Sequence, residues 1–232
     1  MVCRKVRFYC SVAEFLEEFI FHSNSCTAVL LVCSTRARFL ENLFVTVHNP
    51  AQASESGGRE QEHGKNRLLE NTIGLLAKSS RIRLVFCPAV ESLRAYISDF
   101  RVPRRSERMV PAELHGERPV LAVLDLLGLH YSTARFSVLE LSRTLASLVE
   151  AAARETSDLV LSECADIAYP ADGEPDQALW YAALPLLRSS GTAEQEEDNN
   201  IRTGGRVPVR RVVQKWFDYE ENSRTIDKST TI

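Results

Sequence analysis

The chain has 232 residues, 44% hydrophobic and 25% charged, with a formal net charge of -3. That length suits one well-packed α/β domain and is short for two, so a single domain over 1–232 is expected. The small negative balance excludes a chain-wide attraction to nucleic acid or anionic lipid, so any polyanion site must be local.

No apolar stretch approaches the roughly 20 residues that span a bilayer. The opening "MVCRKVRFYCSVAEF" lacks the continuous apolar core of a secretory leader, and an intracellular protein is expected. The cysteines, Cys3, Cys10, Cys26, Cys33, Cys87 and Cys164, form no C-x-x-C pair. Cys26, Cys33 and Cys87 lie in or beside apolar runs, so reduced and mostly buried thiols are expected rather than a zinc site.

In chain order, "SVAEFLEEFIFH" (11–22) places Ser11 and Glu14 at capping-box spacing, with Phe15, Leu16, Phe19 and Ile20 on one helical face. "TAVLLVC" (27–33) is short, apolar and β-branched, as a strand buried on both faces should be. "STRARFLENLFVTV" then reads as a helix beginning at Ser34 or Thr35, and the polar residues 49–67 as a flexible loop. A helix in "LLENTIGLLAKS", a strand in "RIRLVFC" and a helix in "PAVESLRAYISDF", with Pro88 at or near its first turn, follow.

A polar, basic loop (101–118) leads to "RPVLAVLDLLGLH" (118–130), an apolar strand broken by Asp125. "FSVLELSRTLASLVEAAARE" pairs Ser137 with Glu140 as a capping box and carries a stripe through Leu141, Leu145 and Leu148. "SDLVLSECA" is a further strand. "DQALWYAALPLL" fits helix or strand, because Pro185 opposes a continuing helix that Ala and Leu favour. After a polar stretch (188–205), "RVPVRRVVQKWFDYEE" offers alternating Val207, Val209 and Val213, then Trp216, Phe217 and Tyr219, as edge strands would; 222–232 is a frayed tail. Strands separated by long helices predict a mostly parallel sheet covered on both faces.

An apolar strand ending in a carboxylate invites comparison with the Mg²⁺ strand of nucleotide hydrolases, which also need G-x-x-x-x-G-K-[ST] between a strand and a helix. The nearest match is "GGREQEHGKN": Lys65 follows Gly64, but Arg59 and Asn66 stand where a glycine and a hydroxyl belong, and no strand precedes it. After "TAVLLVC" the chain passes through Ser34 and Thr35 with no glycine, and Arg36 and Arg38 cannot replace a backbone cradle. Asp125 is therefore read as a structural carboxylate that caps a neighbouring turn or pairs with an arginine.

The histidines His22, His48, His63, His115 and His130 show no metalloprotease spacing, and there is no G-x-S-x-G elbow. His130 and Ser132 follow the central strand, where α/β sites usually lie; the histidine is read as incidental. No catalytic residue, metal-ligating set or cofactor is assigned. Two basic clusters remain, Arg101, Arg104, Arg105 and Arg108 in one loop, and Arg206, Arg210, Arg211 and Lys215 near the last strands. Clustered arginines neutralise phosphates without reading sequence, which makes these eight the candidate nucleic-acid contacts.

The order of elements resembles the RecA-type core, particularly degenerate recombinase paralogues. "TAVLLVCSTRARFLENL" stands in place of the nucleotide strand and helix, "PVLAVLDLLGLH" as the Walker-B-like strand with Asp125 at the degenerate position, and "FSVLELSRTLASLVEAAARETSDLVLS" as the next helix and strand. "VPVRRVVQKWFDYEE" is similar to the C-terminal edge strands of that core, so the resemblance covers roughly 27–220. It implies an α/β, RecA-like three-layer fold without hydrolysis. It also implies a subunit of a Shu-complex-type assembly in DNA repair by homologous recombination, nuclear, with other RecA-like or repair subunits as partners and DNA contact through the basic clusters. The alternative is a structural RecA-like subunit of an Elongator-type tRNA-modification complex, which would be cytoplasmic.

Overall fold

The computed structural model of the protein describes residues 2–9, 11–22, 27–48, 67–70, 72–103, 118–133, 136–164, 178–186 and 205–219. In chain order the elements are β1 (Arg4–Tyr9), α1 (Val12–His22), β2 (Ala28–Val32), α2 (Arg36–His48), a 3-10 turn (Arg67–Leu69), α3 (Ile73–Ser79), β3 (Ile82–Phe86) and α4 (Val90–Ser98). There follow β4 (Val120–Leu124), α5 (Leu126–Tyr131), α6 (Val138–Arg154), β5 (Asp158–Cys164), α7 (Ala178–Tyr181), β6 (Ala183–Pro185), β7 (Arg206–Pro208), α8 (Val209–Val213) and β8 (Asp218–Tyr219).

Six strands form one sheet in the order β3-β2-β4-β5-β1-β8, every pairing in it parallel. The period-two alternation of a strand divides the core in two. Val29 and Leu31 of β2 and Leu121 and Val123 of β4 point to the face covered by α4, α5, α6 and α8. Leu30, Val32, Ala122 and Leu124 point to the other, against Phe15 and Phe19 of α1 and Phe39 of α2. Both faces being covered explains why β2 and β4 read as continuous apolar runs. The result is the three-layer α/β arrangement expected, a parallel sheet with helices on both faces and β8 as a C-terminal edge strand beside β1.

Local chemistry fixes the helices as anticipated in most places. Ser11 Oγ accepts from Glu14 N–H at 3.2 Å and Ser137 Oγ from Glu140 N–H at 3.3 Å, so both capping spacings are used. Ser92 Oγ accepts from Ala89 N–H at 3.2 Å just after Pro88. The 68–79 helix divides into the 3-10 turn and α3, because Thr72 caps a new start by accepting from Leu75 N–H at 3.1 Å. "DQALWYAALPLL" resolves into both options, α7 and then β6, with Pro185 tolerated on a two-stranded edge.

Two expectations are corrected, and one strand is added. The opening residues form β1, a strand hidden in the sequence because its cationic residues alternate with Val6 and Phe8. The apolar run 118–130 is not one strand: β4 ends at Leu124 and α5 begins at Leu126. The valines of the C-terminal segment do not alternate along a strand; Val209, Val212 and Val213 are buried at helical i, i+3, i+4 spacing in α8, entered through Pro208 at φ -59°. Most of the loops read at 49–67, 101–118 and 188–205, and the tail 222–232, lie outside the described residues. Among those described, no helix is long and apolar enough to cross a membrane.

Leu145 of α6 is fully buried against the sheet. Leu145→Ala should cost about 2–5 kcal/mol in chemical denaturation, by the cavity it leaves, whereas exposed Leu139→Ala on the same helix should cost under about 0.5 kcal/mol.

Candidate functional site

The connections leaving β2 and β4, neighbours in the sheet, run to opposite faces: α2 packs on one, α5 and α6 on the other. Divergence at the carboxyl ends of adjacent strands is where open α/β sheets form their binding crevice. Here the chain leaves β2 through Cys33 and Ser34 and β4 through Asp125, while β5 ends in Ser162, Glu163 and Cys164; all six are buried.

Asp125 turns the chain from strand to helix. Its φ of 61° and ψ of 38° lie in the left-handed region, which costs most side chains roughly 1–2 kcal/mol and which aspartate tolerates better than others. Two bonds hold it to β5. Its N–H donates to Ser162 O at 2.9 Å, and its Oδ1 accepts from Cys164 N–H at 3.2 Å. Of the two roles expected for Asp125, a cap on a neighbouring turn or a pairing with an arginine, the cap is not made at α5, where its side chain makes no bond to the first turn. Glu163 does that instead, Oε1 accepting from Leu127 N–H at 2.7 Å and Oε2 from Gly128 N–H at 3.4 Å. A strand residue satisfies donors that a helix start leaves open.

Burial pushes the Glu163 carboxyl well above its ordinary value, the neighbouring Asp125 charge adds to the rise, and the backbone donors oppose it. Two acids so placed favour a proton on the pair. Burial, then Glu163 and Asp125, likewise raise the Cys33 thiol, which stays protonated and unreactive. A phosphate brought to α5 would find its donors taken and two carboxyl groups in its path. Among the described residues, no group of three or more His, Cys, Asp or Glu is placed to hold a metal ion.

Neither strand-to-helix turn offers a phosphate cradle. Only Cys10 and Ser11 separate β1 from α1, and Ser11 is engaged as the cap of α1. After β2, Thr35 Oγ1 accepts from Arg38 N–H at 3.2 Å, while Arg36 and Arg38 are exposed. The near-match ending at Lys65 lies outside the described residues.

His130 lies in α5 rather than in a loop, buried, with Nε2 at 3.1 Å from Thr144 Oγ1. Burial and then the Arg94 charge push it down to about 4, so it is neutral near pH 7. Arg94 ties α4 to α6, donating to Glu140 Oε2 at 2.9 Å, to Glu140 O at 2.9 Å and to Thr144 Oγ1. Sequence reading missed this network and missed Glu163. The signal for Glu163 was an acid ending the apolar run "LVLSEC", as Asp125 ends "VLAVLD".

The structure brings together one basic cluster. Arg206, Arg210, Arg211 and Lys215 lie on β7, α8 and the turn after it, with Arg206, Arg211 and Lys215 exposed. Arg210 is half-buried: its guanidinium lies 5.1 Å from the Tyr219 ring centroid and donates to Tyr181 Oη at 3.2 Å. Arg101 sits at the amino-terminal edge of the sheet, 3.6 Å from Glu155 Oε1. Arg104, Arg105 and Arg108 lie outside the described residues.

No protein-family model and no curated protein matches the chain. Among solved structures, the chain is similar to a DnaB-like replicative helicase described with its interactions with primase. They are 15% identical at a TM-score of 0.35, over 70% of this chain and 39% of the helicase chain. At that TM-score the two backbones superpose too little for the helicase's activity to bear on this protein.

The proton on the carboxyl pair makes stability depend on pH in a definite direction. A folded-state value for Glu163 raised above the ordinary 4.5 means the folded state holds the extra proton. This contribution is complete below pH 4.5 and is lost as pH rises through and beyond it. Glu163→Gln keeps a carbonyl oxygen for Leu127 N–H and removes the titration. Urea denaturation of the variant from pH 5 to pH 8 should show a smaller fall in stability with pH than the parent; equal falls would count against the shared proton.

Proposed function

We propose that the protein is a non-catalytic RecA-like subunit of a nuclear DNA-repair complex of the homologous-recombination type. It acts by assembling with other RecA-like or repair subunits and by sequence-independent contact with DNA. The observation that supports this reading is that the turns into α1 and α2 contain no glycine and use their hydroxyls on their own helices, Ser11 on Glu14 N–H and Thr35 on Arg38 N–H, which leaves no phosphate cradle there.

Assembly is supported by what the fold leaves uncovered. Leu40, Phe44 and Val45 of α2, Ile73 and Leu76 of α3, and Leu84 of β3 are exposed, all in elements towards the β3 edge of the sheet. Large apolar side chains gathered beside an edge strand are the ordinary raw material of a subunit interface. DNA contact is supported by the cations on β7 and α8, which supply a local positive surface on a chain of net charge -3.

The purified full-length protein should release no phosphate from ATP above a protein-free control, and tagged protein from its native cells should copurify recombination subunits. Elongator subunits in their place would favour the tRNA-modification reading. Phe44→Glu with Leu76→Glu should abolish copurification while leaving the melting temperature nearly unchanged, because both residues are exposed. Retained partners would remove this face from the interface.

A further inference from the structure

Strand β3 ends the sheet opposite β8, and its backbone has one side committed and one side open. Ala28 N–H donates to Arg81 O at 3.1 Å and Cys87 N–H donates to Val32 O at 2.8 Å, so the odd-numbered residues from Arg81 to Cys87 turn their backbone groups towards β2. By the two-residue period of a strand, Ile82, Leu84 and Phe86 turn theirs away from the sheet. Among the described residues no strand meets them. Such an edge accepts another strand unless something blunts it, and β3 contains no proline and pairs with β2 without a break.

The outward residues are symmetric about Leu84. A second β3 laid antiparallel about a two-fold axis through Leu84, perpendicular to the sheet, sets Leu84 opposite Leu84 and Ile82 opposite Phe86, each opposed pair exchanging hydrogen bonds. An axis at Arg83 or Val85 instead carries Phe86 or Ile82 past the end of the opposing strand. The axis at Leu84 also sets Arg83 opposite Val85, so no like charges stand directly across from each other.

A two-fold in this direction keeps each face of the sheet on its own side. Helix α2 lies over β3, Phe39 being 5.7 Å from Phe86, ring centroid to centroid, and α3 lies on the same face, where Lys78 Nζ donates to Phe21 O of α1 at 3.0 Å. The exposed Leu40, Phe44, Val45, Ile73 and Leu76 therefore belong to the face on which Leu84, 42% exposed, meets its mate. The open surface of these six comes to roughly 700 Å² per copy, close to the ~800 Å² per partner of a standard stable interface.

We infer that β3 pairs antiparallel with β3 of a second copy of this chain about a two-fold axis at Leu84, joining two sheets into one and covering the apolar residues of α2 and α3 across that axis. The inference rests on the assembly part of the proposed function and names the first partner at this face; the other subunits join the pair. An isologous contact demands a patch that complements itself, which the register about Leu84 supplies.

The test is sedimentation equilibrium of the full-length protein. At about 20 µM, above the dissociation constant of a standard interface, the parent should sediment at twice the mass of the chain. Because Leu84 faces itself across the axis, Leu84→Lys and Leu84→Glu should each be monomeric, with like charges opposed. An equimolar mixture of the two variants should regain the dimer, about tenfold tighter than either alone at low salt and less so at high salt. A readout needing no variant is hydrogen exchange: the Ile82, Leu84 and Phe86 amides should slow as the parent is concentrated, while those of Arg83 and Val85, which face β2, should not change. A monomeric parent overturns the pair, and recombination subunits copurifying with it leave the proposed function standing. A dimeric parent with no repair subunit bound overturns that function and leaves the pair. A dimer whose outward amides exchange equally at every concentration, or a mixture no tighter than its components, overturns the pairing through β3.

Discussion

The rest of the structure depends on how a buried carboxyl at the end of β5 is satisfied. A group like Glu163, removed from water, is tolerated only if it is protonated or meets donors. Leu127 and Gly128 supply those donors from the first turn of α5. To present them, the chain must turn sharply after β4, and Asp125 makes the turn with its own backbone and side chain bonded across to β5. One satisfied acid therefore sets the end of β4, the start of α5 and the spacing of two central strands. It also takes up first-turn donors of α5 beside the point where the connections of β2 and β4 diverge.

Away from that point the described side chains divide between a buried middle and more exposed margins. The middle of the sheet is sealed on both faces by side chains with almost no exposed surface, and its carboxyl edge is internally bonded. Among the described residues, exposed apolar and aromatic side chains gather at both ends of the strand order, with Tyr131 and Leu139 exposed on α5 and α6 besides. At β3 the sheet stops beside apolar residues of α2 and α3 that no core absorbs. At β1 and β8 it stops beside aromatics braced by Arg210.

How much of this the sequence displayed follows from the range of the interactions. Helices α1 and α6 were legible because cap and stripe lie within one segment: Ser11 with Glu14, Ser137 with Glu140, then leucines and phenylalanines at helical spacing. Strands β2 and β4 were legible because full burial leaves an unbroken apolar run. Strand β1 was not, since Arg7 faces Glu18 on α1 at 3.0 Å and so brings a charge into what otherwise resembles a strand pattern. The valines around α8 show the limit of a short window, where alternation and helical spacing share positions and only burial of Val212 decides. Glu163 showed only as an acid ending an apolar run; its role was hidden because its partners are backbone N–H groups in another element, which leave no mark in a sequence.

The same distinction clarifies the basic residues. A run of arginines reads as a single charge density, yet the fold divides it by local contact. Arg101 is drawn to Glu155, and Arg210 is held between Tyr219 and Tyr181. A guanidinium fixed over a ring loses the freedom to follow a phosphate, whereas Arg211 and Lys215 beside it are exposed. Charge counted along the chain therefore hides how the fold engages each cation, just as it hides the contact of Tyr219 with Phe8, which forms only when β8 returns to the sheet beside β1.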